Sequence, residues 1–194
     1  SLFVTTSQDI HLPNGDIYIK KHMDGVIFAG EVDIRVIEEF RKQSIPVVLV
    51  NNYLDMDGLV CISADHYGGA VQATEYLCKL GHCKIGLLSG RFSPQVSETL
   101  AKYDIPVDDR FIADIEPALE DGEEIMTRML REVDRPTAFF CTNDTIAAGA
   151  MKAVTRAGLR VPEDIAIIGF DDSYISRVVE PELTTVRIDA AKMG

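Results

Sequence analysis

Polar side chains suited to small-molecule recognition follow four short apolar runs of the chain. Amides, hydroxyls and carboxylates of this kind form paired hydrogen bonds to a polyhydroxylated or heterocyclic molecule. They lack the nucleophile and oriented base that a catalyst needs, so they indicate a binding site and not a catalytic one. The four clusters are Asn51 and Asn52; Ser89, Gly90 and Arg91; Thr142, Asn143 and Asp144; and Asp171 and Asp172.

Catalytic alternatives find little support in the sequence. The phosphate loop Gly-x-x-x-x-Gly-Lys-Ser/Thr, a Gly-x-Gly-x-x-Gly after the first strand and a Gly-x-Ser-x-Gly elbow are all missing. His66 has the chemistry of a general base, but without a nucleophile a surface or capping histidine is favoured. Asp171 and Asp172 resemble an acid–base or metal pair. Adjacent residues point in different directions, however, and a helix-capping role for one of them is the simpler alternative.

The cysteines predict a reduced, cytoplasmic protein without a metal site. All four lie in or beside apolar segments, which favours buried thiols in a reducing compartment. A zinc site built from Cys78, His82 and Cys83 is disfavoured, because the spacing straddles a helix end and lacks a second ligand pair. We expect no cofactor. The four residues are Cys61, Cys78, Cys83 and Cys141.

Charge and hydropathy exclude two further classes of surface. The 194 residues carry 19 Lys plus Arg against 31 Asp plus Glu, a formal charge of −12, which opposes a DNA-binding surface spread over the chain. The segment from Glu98 to Asp134 holds twelve acids and four bases, and we interpret it as a solvated helical face. The longest strongly apolar run, Ile45–Val50, has six residues, whereas a membrane helix needs about 20. We therefore expect no membrane span.

The polar clusters must be positioned by a repeated strand–helix unit. Short, nearly continuous apolar runs alternate with segments of helical periodicity, which is typical of a parallel sheet buried on both faces by crossover helices. In such sheets ligands bind outside the carboxyl ends of the strands, where the polar clusters lie. The runs that predict strands are 25–29, 45–50, 60–62, 84–89, 137–141 and 165–170.

One helix has well-marked ends. Asn143 and Asp144 precede the predicted helix 145–157 and are suited to cap it. Gly158 followed by Leu159 fits a glycine that ends a helix together with its apolar contact. In the acidic segment, Ile125, Met129 and Leu130 suggest one further helix with an apolar stripe.

Longer strings then show a resemblance to a known family. The sequence closely resembles the lactose-repressor (LacI/GalR) family of bacterial transcription regulators, with its motifs in the same order from about residue 23 to the end. The strings that carry the resemblance are Met23–Ile27, Ile45–Val48, Asp65–Ala70, Leu80–Gly86, Arg135–Ala150, Gly158–Ile165, Ile168–Asp172 and Pro181–Val186.

The resemblance implies a fold and a division into domains. The expected fold is α/β, the periplasmic-binding-protein-like type I fold, in which two doubly wound parallel-sheet lobes enclose a ligand cleft. Residues 1–62 would form a partial N-terminal lobe and 63–186 the C-terminal lobe, and 187–194 would return to the first. The family's helix-turn-helix headpiece, hinge helix and first strand and helix have no counterpart here.

The resemblance also implies the site and the partners. Family effector contacts carry over onto Asn51, Asn143 and Asp171, with Phe170 as an apolar wall. The expected protein is a cytoplasmic homodimer that senses a small molecule, a sugar or sugar derivative, and couples lobe closure to operator DNA through a headpiece outside this chain. It is not an enzyme. The family's ligand-gripping Arg has no match after Ser89 and Gly90, and Arg91 is not assigned that role.

Two alternatives belong to other classes. A periplasmic sugar-binding protein of a transport system would share the fold, but the four cysteines and the Gly158–Asp164 string argue against it. A small α/β hydrolase or isomerase using Asp171 and His66 has no supporting motif.

Overall fold

The computed structural model describes residues 24–30, 32–51, 54, 56–88 and 93–189. The chain divides into two compact units, with the boundary between Ala64 and Asp65 and the second unit extending to Asp189. Within the described residues, none of the helices is both long enough and apolar enough to span a membrane.

The first unit contains a parallel sheet of three strands in the order β1 (Val26–Ala29), β2 (Val47–Val50) and β3 (Val60–Ile62). Helix α1 (Ile34–Lys42) connects β1 and β2, and the carboxylate of Asp33 caps its first turn by accepting from the Arg35 N–H. This confirms the strand–helix–strand prediction. The core of the unit consists of Phe28, Val36, Ile37, Phe40, Val47 and Leu49.

The second unit contains a five-stranded, fully parallel sheet in the order β5-β4-β6-β7-β8. Its strands are β4 (Ile85–Leu88), β5 (Ile112–Ala113), β6 (Ala138–Cys141), β7 (Ala166–Asp171) and β8 (Thr184–Arg187). Its helices are α2 (His66–Lys79), α3 (Ser93–Lys102), α4 (Leu119–Met129) and α5 (Asp144–Arg156).

The helices of the second unit cover both faces of its sheet. Successive residues of a strand point to opposite faces, and β6 shows this plainly. Phe140 packs in a core with residues of α2 and α3, whereas Phe139 and Cys141 pack with residues of α4 and α5. All four residues of β6 are buried, which is why the strand is an unbroken apolar run. The doubly wound α/β fold expected from the sequence is confirmed.

Helices α4 and α5 approach each other through two glycines. A Cβ on Gly149 would lie 2.1 Å from the carbonyl oxygen of Leu119, and one on Gly122 would lie 2.4 Å from that of Ile146. Only residues without a side chain allow backbones to pack this closely. Glu123 of α4 adds ion pairs across the contact to Lys152 and Arg156 of α5.

The ends of α5 follow the sequence signals. Asn143 caps the first turn, and Gly158 has a φ of 76°. The N–H groups of Gly158 and Leu159 donate to the carbonyls of Thr155 and Val154, which is the Schellman arrangement. The predicted helix 145–157 is thus confirmed with a shift of one residue at each end.

The prediction that the cysteines are buried was wrong for most of them. Cys141 lies in the core of the second unit, but Cys61 and Cys83 are exposed and Cys78 is half-buried. Cys61 belongs to β3, a short strand at the edge of the first sheet. Cys83 follows the end of α2, where the chain turns at the surface. An apolar neighbourhood in sequence therefore did not guarantee burial at a sheet edge or in a turn.

Candidate functional site

The candidate site of the second unit lies at the carboxyl edge of its sheet. Strands β4 and β6 are neighbours, but the chain leaves β4 toward β5 and returns to β6 on the other side. At such a switch point the loops diverge and leave a crevice. Thr142 and Asn143 follow β6, and Asp171 ends β7 beside them. Residues 89–92, which include the predicted polar residues after β4, lie outside the described residues, as does Asn52.

Asn143 and Asp171 form the polar pair at this edge. The Asn143 Oδ1 accepts from the backbone N–H of Thr145 at 2.7 Å and of Ile146 at 3.4 Å, so the amide caps α5. Its Nδ2 donates to the Asp171 Oδ2 at 3.1 Å. An asparagine is suited to this double role because its oxygen caps the helix while its amide group donates outward. Two residues that are 28 positions apart are thereby brought together.

The Asp171 carboxylate is half-buried, and its surroundings disfavour its negative charge. Burial raises its pKa to about 6, with the negative charge of Asp144 as a second cause, while the hydrogen bond from Asn143 acts in the opposite direction. Its backbone has a φ of 105°, in the left-handed region that favours glycine. At neutral pH this group offers a concentrated negative charge and acceptor lone pairs to a hydroxyl donor.

Phe170 precedes Asp171 in β7 and packs against α2. The ring is 1% exposed and lies 6.2 Å from the centroid of Phe140. Gly69 permits the close approach, because a Cβ there would lie 2.8 Å from the Phe170 ring. Phe170 is thus part of the core behind the site, and its predicted role as an apolar wall stays a prediction.

His66 differs from the favoured surface or capping role. Its imidazole is half-buried and stacks on Phe170, with ring centroids 5.6 Å apart and an interplanar angle of 22°. Asp65 caps α2 instead, accepting from the Gly68 N–H at 2.8 Å. Burial lowers the pKa of His66, and the nearby Asp65 charge opposes this. The sequence interpretation of His66 was therefore wrong.

Asp144 belongs to the polar cluster that the sequence places after β6, where it was also a possible cap, and the structure gives it a different role. Its side chain is fully buried. One oxygen accepts from the Ser173 N–H at 2.7 Å and the other from the Thr185 hydroxyl at 2.6 Å. Its partners lie 29 and 41 residues away, so no local pattern could have indicated them.

Asp172 has different partners from the adjacent Asp171. Its carboxylate accepts from the Arg187 Nε at 2.5 Å, with Arg177 also within 3.4 Å. The hydrogen bond from Arg187 is the largest cause that lowers the pKa of Asp172. The two aspartates thus have separate partners and do not form an acid–base pair.

Asn51 belongs to the first unit. It follows β2, is exposed, and has a φ of 53°, a conformation that asparagine tolerates better than most residues. Its N–H donates to the Ile62 carbonyl at 2.9 Å, continuing the ladder to β3. Its position after a strand end is as predicted, and its contact with a ligand stays a prediction.

The described residues do not gather metal ligands. Within the part of the chain that the structure describes, no group of three or more His, Cys, Asp or Glu side chains is arranged to hold a metal ion. At the carboxyl edge of the second unit's sheet, the Asp171 carboxylate and the Asn143 amide can form hydrogen bonds with a ligand.

A carboxylate and a helix-capping amide lie together at the carboxyl edge of a doubly wound parallel sheet, the edge at which α/β domains of this class bind small molecules. Residues 74–194 match the model of the periplasmic binding protein-like domain. The probable HTH-type transcriptional repressor ExuR of Bacillus subtilis is 34% identical over 94% of this chain and 58% of its own length. The HTH-type transcriptional repressor PurR of Actinobacillus pleuropneumoniae is 35% identical over 92% of this chain and 56% of its own.

Solved structures agree with these relatives. A regulatory protein of the LacI family from Chloroflexus aggregans has a TM-score of 0.80 at 30% identity, over 88% of this chain and 64% of that one. A LacI family regulator from Enterococcus faecium, with bound ribose, has a TM-score of 0.78 at 26% identity, over 88% and 67%. The chain belongs to the LacI/GalR family and carries its periplasmic binding protein-like domain. It spans slightly more than half the length of the curated relatives.

Proposed function

We propose that this chain is the effector-binding and dimerisation region of a cytoplasmic LacI-type transcription regulator that senses a neutral sugar or sugar derivative. The observation that carries the proposal is the Asn143–Asp171 pair at the carboxyl edge of the sheet, in which the Asn143 Nδ2 lies 3.1 Å from the Asp171 Oδ2. The carboxylate has lone pairs for ligand hydroxyls, and the amide retains one N–H for a ligand oxygen. A vicinal diol matches this combination of acceptor and donor.

The regulator is favoured over the alternatives by its relatives. The curated relatives ExuR and PurR are repressors, which supports regulation and does not support the transport alternative. An enzymatic role has no support among them. In the proposed mechanism the ligand stabilises one arrangement of the two units, and the shift in population reaches DNA through a headpiece beyond this region. The acidic balance of the chain, −12, is consistent with DNA contacts made elsewhere.

A ligand panel with site variants tests the binding proposal. Neutral sugars, sugar phosphates and nucleobases are screened for an increase in Tm, because a ligand that binds only the folded state stabilises it. We expect a neutral sugar to raise Tm, and Asp171→Asn and Asn143→Ser to abolish the increase. Serine at 143 still caps α5, so this variant removes the ligand donor and retains the helix start.

The control is Asp164→Asn, which removes a partly exposed carboxylate paired with Arg160 and is expected to leave the ligand response unchanged. Retention of the full Tm increase in Asp171→Asn would exclude the proposed site. The regulatory role is tested by the complete reading frame: an upstream helix-turn-helix supports it, whereas a secretory leader contradicts it.

A further inference from the structure

The turn that carries Asp171 has an unusual backbone. Asp171 and Asp172 have φ values of 105° and 51°, so two consecutive residues other than glycine lie in the left-handed region. Such conformations cost free energy and persist only where the surrounding contacts hold them. The position of the Asp171 carboxylate therefore depends on whatever fixes this turn.

Two side chains fix it, the buried Asp144 and the half-buried Thr185. The Asp144 carboxylate accepts from the Ser173 N–H at 2.7 Å and from the Thr185 hydroxyl at 2.6 Å. The Thr185 Oγ1 in turn accepts from the Asp172 N–H at 3.3 Å. The two N–H groups that follow Asp171 are thus bound by one connected network, which joins the start of α5, the end of β7 and the middle of β8.

Two simpler roles explain the turn less well than the Asp144 network does: helix capping by Asp144, and the surface ion pair between Asp172 and Arg187. The helix cap of α5 is already supplied by Asn143, so Asp144 is not needed for capping. The outer pair of Asp172 with Arg187 also touches the turn, but the Arg187 side chain is 75% exposed. Exposed ion pairs hold geometry weakly, whereas hydrogen bonds to a buried carboxylate are strong.

We propose that Asp144 and Thr185 are positioning residues, which hold the Asp171 carboxylate in its ligand-binding orientation. The proposal rests on the proposed function, in which Asp171 contacts the effector. Asp144 acts in two ways, since it anchors the backbone through Ser173 and places a second negative charge near Asp171. Thr185 acts by geometry alone.

Conservative variants separate geometry from charge. Thr185→Val keeps the shape and removes the hydroxyl, and Thr185→Ser restores the hydroxyl. Asp144→Asn removes the charge but keeps an oxygen for the Ser173 N–H and an amide that can donate to Thr185. The matched control is Thr155→Val, because the Thr155 hydroxyl bonds only within α5, to the Met151 carbonyl.

The test uses the full chain without any ligand. NMR follows the carboxyl carbon of Asp171 through a pH titration and the hydrogen exchange of the Asp172 and Ser173 amides. In Thr185→Val we expect the Asp172 amide to exchange about tenfold faster, since one hydrogen bond is lost. Thr185→Ser returns exchange to the starting rate, and Thr155→Val leaves it unchanged.

Asp144→Asn gives the complementary result. The pKa of Asp171 falls from about 6 toward its ordinary value of 3.8, but only part of the way because burial remains, while the Ser173 amide stays protected. Unchanged Asp172 exchange in Thr185→Val, or an unchanged Asp171 titration in Asp144→Asn, overturns the proposal. If Thr185→Val fails to fold, the Asp144→Asn titration still decides. A sugar panel without a binder would contradict the proposed function and leave these measurements standing.

Discussion

Asp171 combines three features that each reduce the stability of the folded chain. Its carboxylate is half-buried, its backbone is left-handed, and the charge of Asp144 lies nearby. Proteins retain such costs where function requires them, and substitutions that relieve them commonly stabilise the fold while removing activity. We therefore interpret Asp171 as a residue kept for ligand binding and not for stability.

Replacing Asp171 by Asn should stabilise the protein at neutral pH. The folded-state pKa is raised to about 6 from 3.8, so ionisation disfavours the folded state, and stability falls as pH rises through this range. Asn removes the charge and still accepts from Asn143. We expect a gain of about 1–2 kcal/mol at pH 7, allowing for solvent screening of a half-buried group. The gain should disappear near pH 4, as measured by urea unfolding across pH 4–8.

Asp164 supplies a control of opposite sign. The hydrogen bond from Arg160 lowers its pKa, so Asp164 contributes stability above its unfolded-state pKa, and this contribution is lost as pH falls. Asp164→Asn should therefore reduce stability at pH 7, or leave it unchanged, and never raise it. A loss of stability at pH 7 in Asp171→Asn, or a gain independent of pH, would contradict the interpretation of Asp171.

At the scale of elements, local signals predicted the interior of the second unit's sheet better than its edges. The cap Asn143 and the terminator Gly158 predicted α5 to within a residue, because capping depends on neighbours in sequence. The edge strands of the second sheet were missed: β5 has two residues, and β8 reads Thr-Thr-Val-Arg without an apolar run. An edge strand is defined by its pairing partner, so β8 exists through its register with β7.

The candidate site shows the same division. Asn143 and Asp171 were predictable, because each follows an apolar run and matches a family string. Asp144 and Thr185 were not, because their hydrogen bond joins residues 41 positions apart. His66 was misinterpreted, since its stacking on Phe170 depends on how α2 packs against β7. The roles of Asp144, Thr185 and His66 depend on long-range packing, which the spacing of residues in the sequence does not indicate directly.

The contact between α4 and α5 predicts a strong effect at Gly149. In Gly149→Ala the added Cβ would lie 2.1 Å from the Leu119 carbonyl and 2.8 Å from the Glu123 nitrogen, both backbone atoms that cannot move alone. The two helices must separate, which also weakens the Glu123 ion pairs with Lys152 and Arg156. We expect a loss of about 2–3 kcal/mol or more in urea unfolding.

Gly158→Ala is the matched control at the end of the same helix. Nothing lies within 4 Å of a Cβ at this position, so the only cost is the left-handed φ of 76°. That cost is about 1 kcal/mol for alanine. A larger loss in Gly158→Ala than in Gly149→Ala would show that the glycine contact between α4 and α5 does not govern stability.

At the scale of the whole molecule, the two units differ in how completely they bury their sheets. The second unit has an apolar core on each face of its sheet. In the described part of the first unit, α1 covers one face, whereas Ile27 and Val60 are 67% and 55% exposed. The family string at Arg135–Ala150 and the capped α5 made the second unit the more predictable of the two. A sheet that is covered on both faces is the more self-sufficient structure.

This difference predicts that the second unit folds independently. A fragment of residues 65–189 contains the whole five-stranded sheet, both of its cores and the Asp144 network, so we expect one cooperative urea transition and dispersed NMR spectra. Gly149→Ala should lower the stability of the fragment by the same amount as in the full chain, because the atoms nearest to the added Cβ, in Leu119 and Glu123, belong to the same unit. Two outcomes would show that the second unit depends on the rest of the chain. One is a fragment that unfolds without cooperativity. The other is an effect of Gly149→Ala that differs by more than about 0.5 kcal/mol between the fragment and the full chain.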